Sequence, residues 1–554
     1  MKHKLPRIFL FLLGIIFIIN LAQGYFTELI FDEAYYWYYA QNLSWGYFDH
    51  PPMVAFLIEI SSIFFEGELG VRFMSSLLAV GAILLLWRLI DHPKKTDFVP
   101  HFFILVFSMT LLNVYGFLML PDTPLLFFTA LLLFFYKKFL ERPSLLISIA
   151  LGITMAALMY SKYHAALVII FILSSNLKLL SNKYAWLAVF IALVCYTPHF
   201  IWLYEHDFVS IKYHLFERPN RAYHFEDFTL GYFINLVALF GLTFPWVYKA
   251  LYKTKMTDAF TKALIFLVYG VLIFFFISSF NRRIQTQWLI VICIPMVVLV
   301  YNQMLDRPGI RKWIFRMGLV NIAIFFVLRV GLIYKPLFPI VYETHGNKKW
   351  VAALESEVGD TPVVFENSYR KAPMYAFYSG NTSLSLNNIK YRQNQYSIDS
   401  SEFNVQQKKV VYVSKYTKEG DISYSNAKGV TFYGNFIDDF ESFRKLRCHV
   451  IALPEENQNG LYTMEVSNPY MANIELEKIR FAVAYLNKHK QVIEVVPAKM
   501  SPLKPNTTVL KSQGTTAFVF ELPPREVDAP VYFKISISEN QLYWGINSDN
   551  IKLP

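Results

Sequence analysis

The sequence predicts a polytopic α-helical membrane domain followed by a soluble C-terminal part. Hydrophobic residues make up 55% of the 554 residues and charged residues only 17%, whereas a soluble globular chain carries about 25% charged residues. Apolar runs of roughly 20 residues, the length that crosses a bilayer, recur up to about residue 340. Beyond that point the sequence is polar and alternates with the period of β-strands.

About eleven apolar runs are predicted to span the membrane within a transmembrane domain of residues 1–342. The first run is interpreted as an uncleaved helix, because many further runs follow it and no convincing cleavage site does. The predicted spans lie near residues 7–23, 69–90, 99–119, 123–140, 144–160, 164–180, 184–203, 229–249, 263–280, 288–304 and 314–341.

Basic residues alternate between the loops as the positive-inside rule requires. Residues 24–70 contain no Lys or Arg, whereas every second loop is basic. The basic loops hold Lys94 and Lys95; Lys137, Lys138 and Arg142; Lys178 and Lys183; Lys249, Lys253, Lys255 and Lys262; and Arg307, Arg311, Lys312 and Arg316. This alternation predicts a cytoplasmic N-terminus and an extracytoplasmic C-terminal part. The net charge of +11 then faces anionic membrane lipids and does not indicate nucleic-acid binding.

The first outer loop, residues 24–68, combines an aromatic helix pattern with two adjacent acids. The segment DEAYYWYYA predicts a helix that lies along the membrane interface. Asp32 and Glu33 have no cation in the same loop, so any partner must come from another loop. A partly desolvated carboxylate here suits a general base, while the alternative is an ordinary solvated pair at a helix start.

The same loop continues into Tyr-Phe-Asp-His-Pro-Pro at residues 47–52. Asp49 and His50 are candidates to bind a metal ion or to stabilise the acidic pair, although one Asp-His pair is a weak metal signature. Further histidines near the predicted outer face leave open a divalent metal cation as a cofactor: His164, His199, His206, His214 and His224.

Other polar residues fall in the later outer turns. Asp122 stands in a Pro-Asp-Thr-Pro turn, where it is either a helix cap or part of a site on the same membrane face as Asp32. Lys162, Arg282 and Arg283 lie on the side where cations are rare. They are suited to hold a phosphate through charge-assisted hydrogen bonds, and the alternative is contact with lipid headgroups.

The soluble part is predicted to contain two sections. Residues 343–452 combine a helix pattern, KKWVAALESEV, with apolar strands, which predicts a small α/β unit. Residues 453–554 alternate over several short segments, which predicts a β-sandwich-like unit. No role for this part follows from the sequence.

In order, these motifs resemble those of membrane-embedded glycosyltransferases of the GT-C class, in particular the ArnT-like and protein-O-mannosyltransferase-like group. The resemblance covers roughly residues 5–300 and includes Asp32-Glu33, the motif at residues 47–52, Asp122 and Lys162. Where ArnT-like enzymes have Glu-Lys-Pro-Pro, this chain has Asp49-His50-Pro-Pro. The resemblance therefore does not extend to aminoarabinose or to the role of that lysine.

The resemblance implies transfer of a sugar from a polyprenyl-phosphate donor to lipid A, a glycan or a protein, with inversion at the anomeric carbon. Asp32 is the expected base. Glu33 is the second expected catalytic residue, which would support Asp32, orient the acceptor or help to hold a cation. Lys162 and one of Arg282 and Arg283 are expected to stabilise the leaving phosphate, and Asp122 to position a substrate. Tyr47, Asp49 and His50 complete the expected substrate-binding set.

A transporter or flippase of a lipid-linked glycan is the competing hypothesis. Transporters place ionisable residues and broken helices near the bilayer midplane, often in repeated halves. In this sequence the unusual charges lie in the outer loops, the spans are mostly uninterrupted, and no repeat is visible. These features favour the transferase.

Overall fold

The computed structural model describes residues 5–454, 461–526 and 530–553. The chain divides into two compact units. The first, which we call the membrane unit, comprises Met1–Asp207 and Tyr223–His345, and the second, the sheet unit, comprises Phe208–Ala222 and Gly346–Pro554. The predicted boundaries at 342/343 and 452/453 stay predictions. The sequence did not predict that residues 208–222, between two apolar helices, would belong to the sheet unit.

The membrane unit is helical. Its helices are α1 (Arg7–Phe26), α2 (Phe31–Ala40), α3 (Met53–Ser62), α4 (Gly67–Leu89), α5 (Val99–Ser108), α6 (Thr110–Val114), α7 (Asp122–Glu141), α8 (Leu145–Ser161), α9 (Ala165–Ser175) and α10 (Lys183–Glu205). After α11 (Val209–Lys212) of the sheet unit follow α12 (Gly231–Phe240), α13 (Phe244–Lys253), α14 (Ala259–Ser278), α15 (Cys293–Asp306) and α16 (Pro308–Ile333). A 3₁₀ helix, Thr286–Ile292, leads into α15.

Eight helical segments of the described residues are long and apolar enough to cross a membrane. They are Arg7–Phe26, Gly67–Leu89, Asp122–Glu141, Lys183–Glu205, Glu226–Lys253, Ala259–Ser278, Thr286–Asp306 and Pro308–Ile333. The chain is thus an integral membrane protein, as predicted. Two of the remaining predicted spans are the shorter apolar helices α8 and α9, and the count of about eleven is consistent with these helices.

The predicted span at 99–119 is broken into α5 and α6 at Met109, whose backbone is extended. A break at membrane depth requires partners for the freed carbonyl groups, because lipid offers none. The Asn321 side chain donates to the Ser108 carbonyl oxygen at 3.3 Å. Arg329 donates to the Asn113 carbonyl oxygen at 2.5 Å. Polar residues of α16 therefore compensate the interruption.

Helix α2, predicted to lie along the membrane interface, is largely packed inside the membrane unit. Its buried residues include Glu33, Tyr35, Tyr36 and Tyr39. The aromatic side chains that suggested an interfacial belt thus form a protein core at this position. The same loop also contains α3, which packs beside α2 and α4.

The sheet unit contains α17 (Asn347–Val358), α18 (Lys371–Ser379) and fifteen strands within its described residues. The strands are β1 (Val363–Glu366), β2 (Ser383–Leu386), β3 (Lys408–Ser414), β4 (Ile422–Ser425), β5 (Thr431–Phe440), β6 (Arg447–Ala452), β7 (Tyr462–Ser467), β8 (Ile474–Glu475), β9 (Ile479–Leu486), β10 (Val492–Ala498), β11 (Met500–Pro502), β12 (Val509–Leu510), β13 (Thr515–Phe520), β14 (Tyr532–Glu539) and β15 (Ile551–Lys552).

The strands form one mixed sheet and two antiparallel sheets, with β8 and β12 as a separate pair. The mixed sheet has the order β2-β1-β3-β5-β4, with β1 parallel to β2 and β3. The antiparallel sheets have the orders β10-β9-β14-β15 and β11-β13-β7-β6. Met464 and Phe518 of one sheet share a buried core with Val483 and Ile535 of the other. The C-terminal part is therefore sheet-rich, as predicted.

Candidate active site

Glu33, in the first turn of α2, is buried and accepts hydrogen bonds at both of its carboxylate oxygens. Its side chain is 0% exposed and receives two bonds from Arg72, at 2.8 Å to Oε1 and 2.5 Å to Oε2. The backbone N–H of Ile30 donates to Oε2 at 3.2 Å, and that of Met119 donates to Oε1 at 3.0 Å. Both carboxylate oxygens therefore serve as structural acceptors.

Arg72, near the start of α4, uses its whole guanidinium group in this contact region. Nη1 donates to the Gly24 carbonyl oxygen at 3.1 Å and to that of Thr27, and Nη2 donates to Glu28 at 3.0 Å. With the two bonds to Glu33, all five N–H donors of an arginine have acceptors. Arg72 thus fixes the turn between α1 and α2.

Sequence reasoning missed Arg72, although it predicted that a partner for the acids must come from outside their loop. The residue lies just beyond the cation-free segment 24–70. The available signal was a lone arginine inside an apolar span, which must be paired because burial of an unpaired charge is costly.

Asp32 occupies a different environment from its neighbour. It is half-buried, in the first turn of α2. Burial first, then the charges of Glu343 and Asp32, raise the pKa of the Tyr342 phenol, which places Asp32 near that ring. Asp32 also lies within electrostatic range of Tyr115. Consecutive helical residues point about 100° apart, so one acid can be enclosed while the next remains accessible.

Asp122 and Lys162, which are far apart in sequence, form a buried ion pair. Lys162 Nζ lies 2.8 Å from Asp122 Oδ1 and 3.0 Å from Oδ2. The residues are 4% and 7% exposed, respectively. Asp122 begins α7, and Lys162 follows the last residue of α8. The structure therefore joins two of the predicted site residues.

Tyr115 links this ion pair to Asp32. Its hydroxyl group lies close enough to the Asp122 carboxylate to interact with it electrostatically, and the same ring is within electrostatic range of Asp32. The ring is almost fully buried. Tyr115 thus lies near both acids, and one of them, Asp122, is paired with Lys162.

The motif at residues 47–52 braces α2. Asp49 accepts a hydrogen bond from the Tyr39 hydroxyl group at 2.6 Å, and burial together with this carboxylate raises the pKa of Tyr39. The rings of Tyr39 and Tyr47 stack at 4.2 Å. The Tyr47 hydroxyl group donates to the Tyr39 carbonyl oxygen at 3.0 Å. His50 packs edge-on against Tyr36.

His199 connects this loop to the turn that carries Lys162. It is fully buried, and its Nδ1 lies 2.6 Å from the Trp45 carbonyl oxygen while Nε2 lies 3.2 Å from the Tyr163 hydroxyl group. The sequence offered His199 only as one of several histidines near the outer face. Its position supports a structural bridge between two outer segments.

Arg282 and Arg283 lie in the segment after α14, where Arg282 is half-buried and Arg283 exposed. Further along this segment, the ring of Trp288 lies 5.6 Å from that of His164. The segment that carries the two arginines therefore approaches the Lys162 turn.

The metal expectation gains no support from the described part of the chain, which contains no group of three or more His, Cys, Asp and Glu side chains arranged to hold a metal ion. Asp49, one of the suggested ligands, is instead engaged by Tyr39. The chemistry that the site offers is that of a carboxylate, a buried lysine and hydrogen-bonding phenols.

Comparison with known proteins confirms the resemblance to GT-C membrane glycosyltransferases. Residues 49–202 match the family model described as dolichyl-phosphate-mannose-protein mannosyltransferase. The chain is 26% identical over 198 residues to the lipid A galacturonosyltransferase RgtD of Rhizobium johnstonii. This match covers 34% of this chain and 41% of the relative. The chain thus spans less than half the length of this curated relative.

Solved structures share the fold. The crystal structure of apo ArnT from Cupriavidus metallidurans has a TM-score of 0.54 at 13% identity, over 74% of this chain and 92% of that one. The same protein bound to undecaprenyl phosphate has a TM-score of 0.52 at 13% identity, over the same shares. The predicted fold class is therefore confirmed.

Proposed function

We propose that the chain is a glycosyltransferase that moves a sugar from a polyprenyl-phosphate donor to a lipid, glycan or protein acceptor. The observation that carries this proposal is the buried Asp122–Lys162 ion pair, linked through Tyr115 to the accessible Asp32. Its support also includes the relatives, one named as a lipid A galacturonosyltransferase and one crystallised with undecaprenyl phosphate.

Asp32 acts as the general base. The acceptor hydroxyl oxygen attacks the anomeric carbon on the face opposite the phosphate, and its proton passes to the Asp32 carboxylate. The bond between the anomeric carbon and the phosphate oxygen breaks, and its electron pair leaves with the polyprenyl phosphate. The configuration at the anomeric carbon is inverted, and general base catalysis of this kind contributes about 10²–10⁴-fold to the rate.

Lys162 stabilises the negative charge that grows on the leaving phosphate. Its ammonium group is held by Asp122 in a site with little water, where a preorganised cation is most effective. Asp122 positions this lysine and, through Tyr115, adjoins the base. Arg282 and Arg283 supply further positive charge from the neighbouring segment.

Glu33, Tyr47 and Asp49 serve the site indirectly. Glu33 is saturated by Arg72 and two backbone N–H groups, so it positions α2 and with it Asp32. Tyr47 and Asp49 brace the other side of the helix. This assignment replaces the expectation that Glu33 is itself catalytic.

The site faces the outer side of a bacterial inner membrane, with the N-terminus in the cytoplasm. The alternation of basic loops supports this orientation. A lipid-linked donor suits it, because sugar carried on a polyprenyl chain is available in the membrane itself.

The test is sugar transfer in proteoliposomes supplied with a polyprenyl-phosphate sugar and with envelope glycolipids and proteins as acceptors. We expect Asp32→Asn to lower turnover by about 10²–10⁴-fold without loss of the folded protein. Asp97→Asn, which changes an exposed acid of a cytoplasmic loop, is the matched control. Full turnover by Asp32→Asn would refute the assignment of the base.

The same experiment separates the transferase from the flippase. A transferase moves the labelled sugar into a new covalent product and releases polyprenyl phosphate. A flippase changes only the membrane leaflet that holds the intact donor. Donor translocation without any sugar-bearing product would overturn the proposed function.

A further inference from the structure

The carboxyl ends of β1 and β3 lie at a topological switch point of the mixed sheet. The two strands are parallel neighbours in the order β2-β1-β3-β5-β4. The chain leaves β1 through α18 and returns as β2 on one side of β1, whereas β3 lies on the other side. In open α/β sheets, ligands commonly bind beyond the carboxyl ends of the strands where the strand order reverses in this way.

Asn367 and Lys415 occupy neighbouring positions at these strand ends. Asn367 directly follows β1, and Lys415 directly follows β3. The two strands are in parallel register, with Phe365 opposite Val413. Asn367 and Lys415 are each two residues beyond that pair, so they leave the sheet side by side.

Lys371, the first residue of α18, extends towards the same edge of the sheet. Its Nζ atom lies 2.7 Å from the centre of the Phe432 ring. Phe432 is the second residue of β5, which begins at this edge because β5 is antiparallel to β3. Burial and, to a lesser extent, the positive charge of Lys415 lower the pKa of Lys371 to about 7. The two lysines are therefore close enough to repel each other.

The positive charge of these lysines is not balanced by a carboxylate. Neither Lys371 nor Lys415 forms an ion pair within the part of the chain that the structure describes. Glu366, the acid at the end of β1, instead accepts hydrogen bonds from the Ser414 hydroxyl group and from Asn388 Nδ2. Like charges that lie close together disfavour the charged forms, so an anionic ligand would stabilise the pair.

The Asn367 side chain supplies a hydrogen-bond donor at the same edge. The residue is 6% exposed, and its Nδ2 atom has no acceptor among the described residues. The orientation of the amide is defined, because its Oδ1 atom accepts a hydrogen bond from the backbone N–H of Asn388 at 2.8 Å. Asn388 follows β2, on the side of β1 opposite to β3. The Nδ2 atom therefore points away from β2, towards the side of Lys415.

Helix α18 adds a further attraction for an anion. It has nine residues, and the positive end of its dipole lies at Lys371. The first two backbone N–H groups of the helix already donate to the hydroxyl and carbonyl oxygens of Ser368. Direct contacts with a ligand would therefore come from side chains.

We propose that the sheet unit binds a phosphomonoester group at this edge, where Lys371 and Lys415 hold its charge and Asn367 donates a hydrogen bond to one of its oxygens. Such a group carries a charge of about −1.5 to −2 at neutral pH and three acceptor oxygens, which match two ammonium groups and one amide. Lysine binds phosphate as a point charge. The group belongs either to a lipid headgroup or to a phosphorylated glycan. This site lies in the sheet unit and is independent of the proposed sugar transfer.

Calorimetric titration of the purified full chain in detergent with glucose 6-phosphate tests the site. We expect Lys371→Met and Lys415→Met each to raise the dissociation constant at least about tenfold. Lys408→Met is the matched control, because this exposed lysine begins β3 at the opposite edge of the sheet and its loss changes the net charge equally. It should bind like the native chain. Native binding by both Lys371→Met and Lys415→Met would overturn the proposal.

Asn367→Asp isolates the amide donor. The new carboxylate still accepts from the backbone N–H of Asn388, but an anionic oxygen replaces Nδ2 and repels the phosphate. We expect binding to weaken at least about tenfold. The melting temperature should not fall, because the new charge lies beside Lys415. Binding at native strength would contradict the contact assigned to Asn367.

The pH dependence of binding gives a readout that a structural role of Lys371 would not produce. A bound phosphate raises the pKa of Lys371 above its free value of about 7, so binding takes up a proton. The dissociation constant should therefore rise as pH increases from about 7 to about 9, while the phosphomonoester, whose second pKa is about 6, keeps its charge. Lys371→Met should abolish this dependence. Equal binding of the native chain at both pH values would contradict the proposal.

Glucose and dihexanoyl phosphatidic acid distinguish the parts and the source of the ligand. Glucose lacks the phosphate, and binding as tight as that of glucose 6-phosphate would overturn the phosphate contact. Dihexanoyl phosphatidic acid carries the same group on a lipid. Tighter, Lys371-dependent binding of this lipid supports a headgroup ligand, whereas tighter binding of the sugar phosphate supports a glycan. A chain that transfers sugar but binds neither phosphate contradicts this inference alone.

Discussion

At the residue scale, Asp32 and Glu33 show how one turn of helix can give two adjacent carboxylates opposite environments. Glu33 points into a cage of donors formed by Arg72 and two backbone N–H groups. Asp32 stays half-buried beside Tyr342. The sequence motif identified the pair, but the helical phase decides which acid remains accessible to a substrate.

Removal of Arg72 should destabilise the membrane unit strongly. Arg72→Met would leave the Glu33 carboxylate buried without its cation and would free three backbone carbonyl groups. Breaking a buried ion pair from one side costs about 3–5 kcal/mol. We expect a large fall in the melting temperature in detergent. Arg88→Met, which changes an exposed residue at the other end of α4, should leave it nearly unchanged.

The double variant Glu33→Gln/Arg72→Met tests the cause. Removing the carboxylate charge should recover part of the stability, because no buried anion is then left without a partner. If Arg72→Met melts like the native chain, the Arg72–Glu33 ion pair does not stabilise the membrane unit.

Lys162→Met should lower turnover, while binding of the donor should be partly retained. The proposed role of Lys162 is to stabilise charge that develops in the transition state, an interaction typically worth about 10²–10³-fold in rate. We expect the effect mainly on kcat in the proteoliposome assay. Lys183→Met, which changes an exposed residue at the start of α10, is the control. An effect on KM alone would contradict the role in the transition state.

At the element scale, the segment between α2 and α3 depends on close packing against α10. A Cβ atom at Gly46 would lie 2.2 Å from the Trp202 ring. Within the same contact region, Trp202 stacks with His206 at 4.2 Å, which restricts its movement. Glycine is therefore required by the approach of a bulky ring.

Gly46→Ala should destabilise this packing by about 1–3 kcal/mol, the usual cost of overfilling a packed site. Thermal unfolding in detergent measures the loss. Gly309→Ala is the control, because a Cβ atom there meets nothing within 4 Å. In a Trp202→Leu background, Gly46→Ala should cost less, since the obstructing ring is gone. Equal costs in both backgrounds would contradict the clash.

In the sheet unit, β14 ends in a buried acid whose titration should affect stability. Burial, opposed by Arg444 and reinforced by Glu402, raises the pKa of Glu539 from 4.5 to about 7. Arg444 Nε lies 3.2 Å from its Oε1. Between these two pH values the folded state binds more protons than the unfolded state. The stability of the unit therefore falls as pH rises from about 4.5 to about 7.

The size of this loss should be on the order of 3 kcal/mol. Pulse proteolysis of the full chain at about pH 5 and about pH 8, with peptides of the sheet unit followed by mass spectrometry, measures it. Glu539→Gln should remove most of the difference between the two pH values, because the amide does not titrate. A pH dependence that survives this substitution would assign the effect to another group.

At the scale of the whole molecule, the chain forms two units, and the sheet unit includes a segment that interrupts the sequence of the membrane unit. Residues 208–222 follow α10 of the membrane unit but belong to the sheet unit. Within that unit, the Tyr213 hydroxyl group accepts a hydrogen bond from Arg392 at 3.0 Å. The backbone N–H of Asn220 donates to the His489 carbonyl oxygen at 3.0 Å. The division into units is therefore not a simple cut along the sequence.

The orientation of the whole chain can be tested by cysteine labelling. In a background without Cys195, Cys293 and Cys448, Glu357→Cys in α17 should react with an impermeant maleimide added to intact spheroplasts. Lys94→Cys, between α4 and α5, should react only after permeabilisation. The reason is the bias of Lys and Arg towards cytoplasmic loops. The reverse pattern of labelling would place the candidate site on the cytoplasmic side.

The sequence by itself determined the class of this protein, and it predicts the membrane face of its candidate site. The length of the apolar runs and the alternation of basic loops are local properties, so they can be recognised without knowledge of the fold. The ordered acids, Asp32 and Asp122, and Lys162 could likewise be identified from short motifs. The partnership of Asp122 with Lys162 could not be identified, because it joins the ends of two helices.

Only the tertiary structure decided how the polar residues are paired. Arg72 donates hydrogen bonds to the Glu33 carboxylate, and Arg329 donates one to the Asn20 amide oxygen. These contacts depend on helical phase and on packing between segments that are distant in sequence, which no local pattern records. Burial then makes each pairing consequential, because an ionisable or hydrogen-bonding group removed from water must find a specific partner.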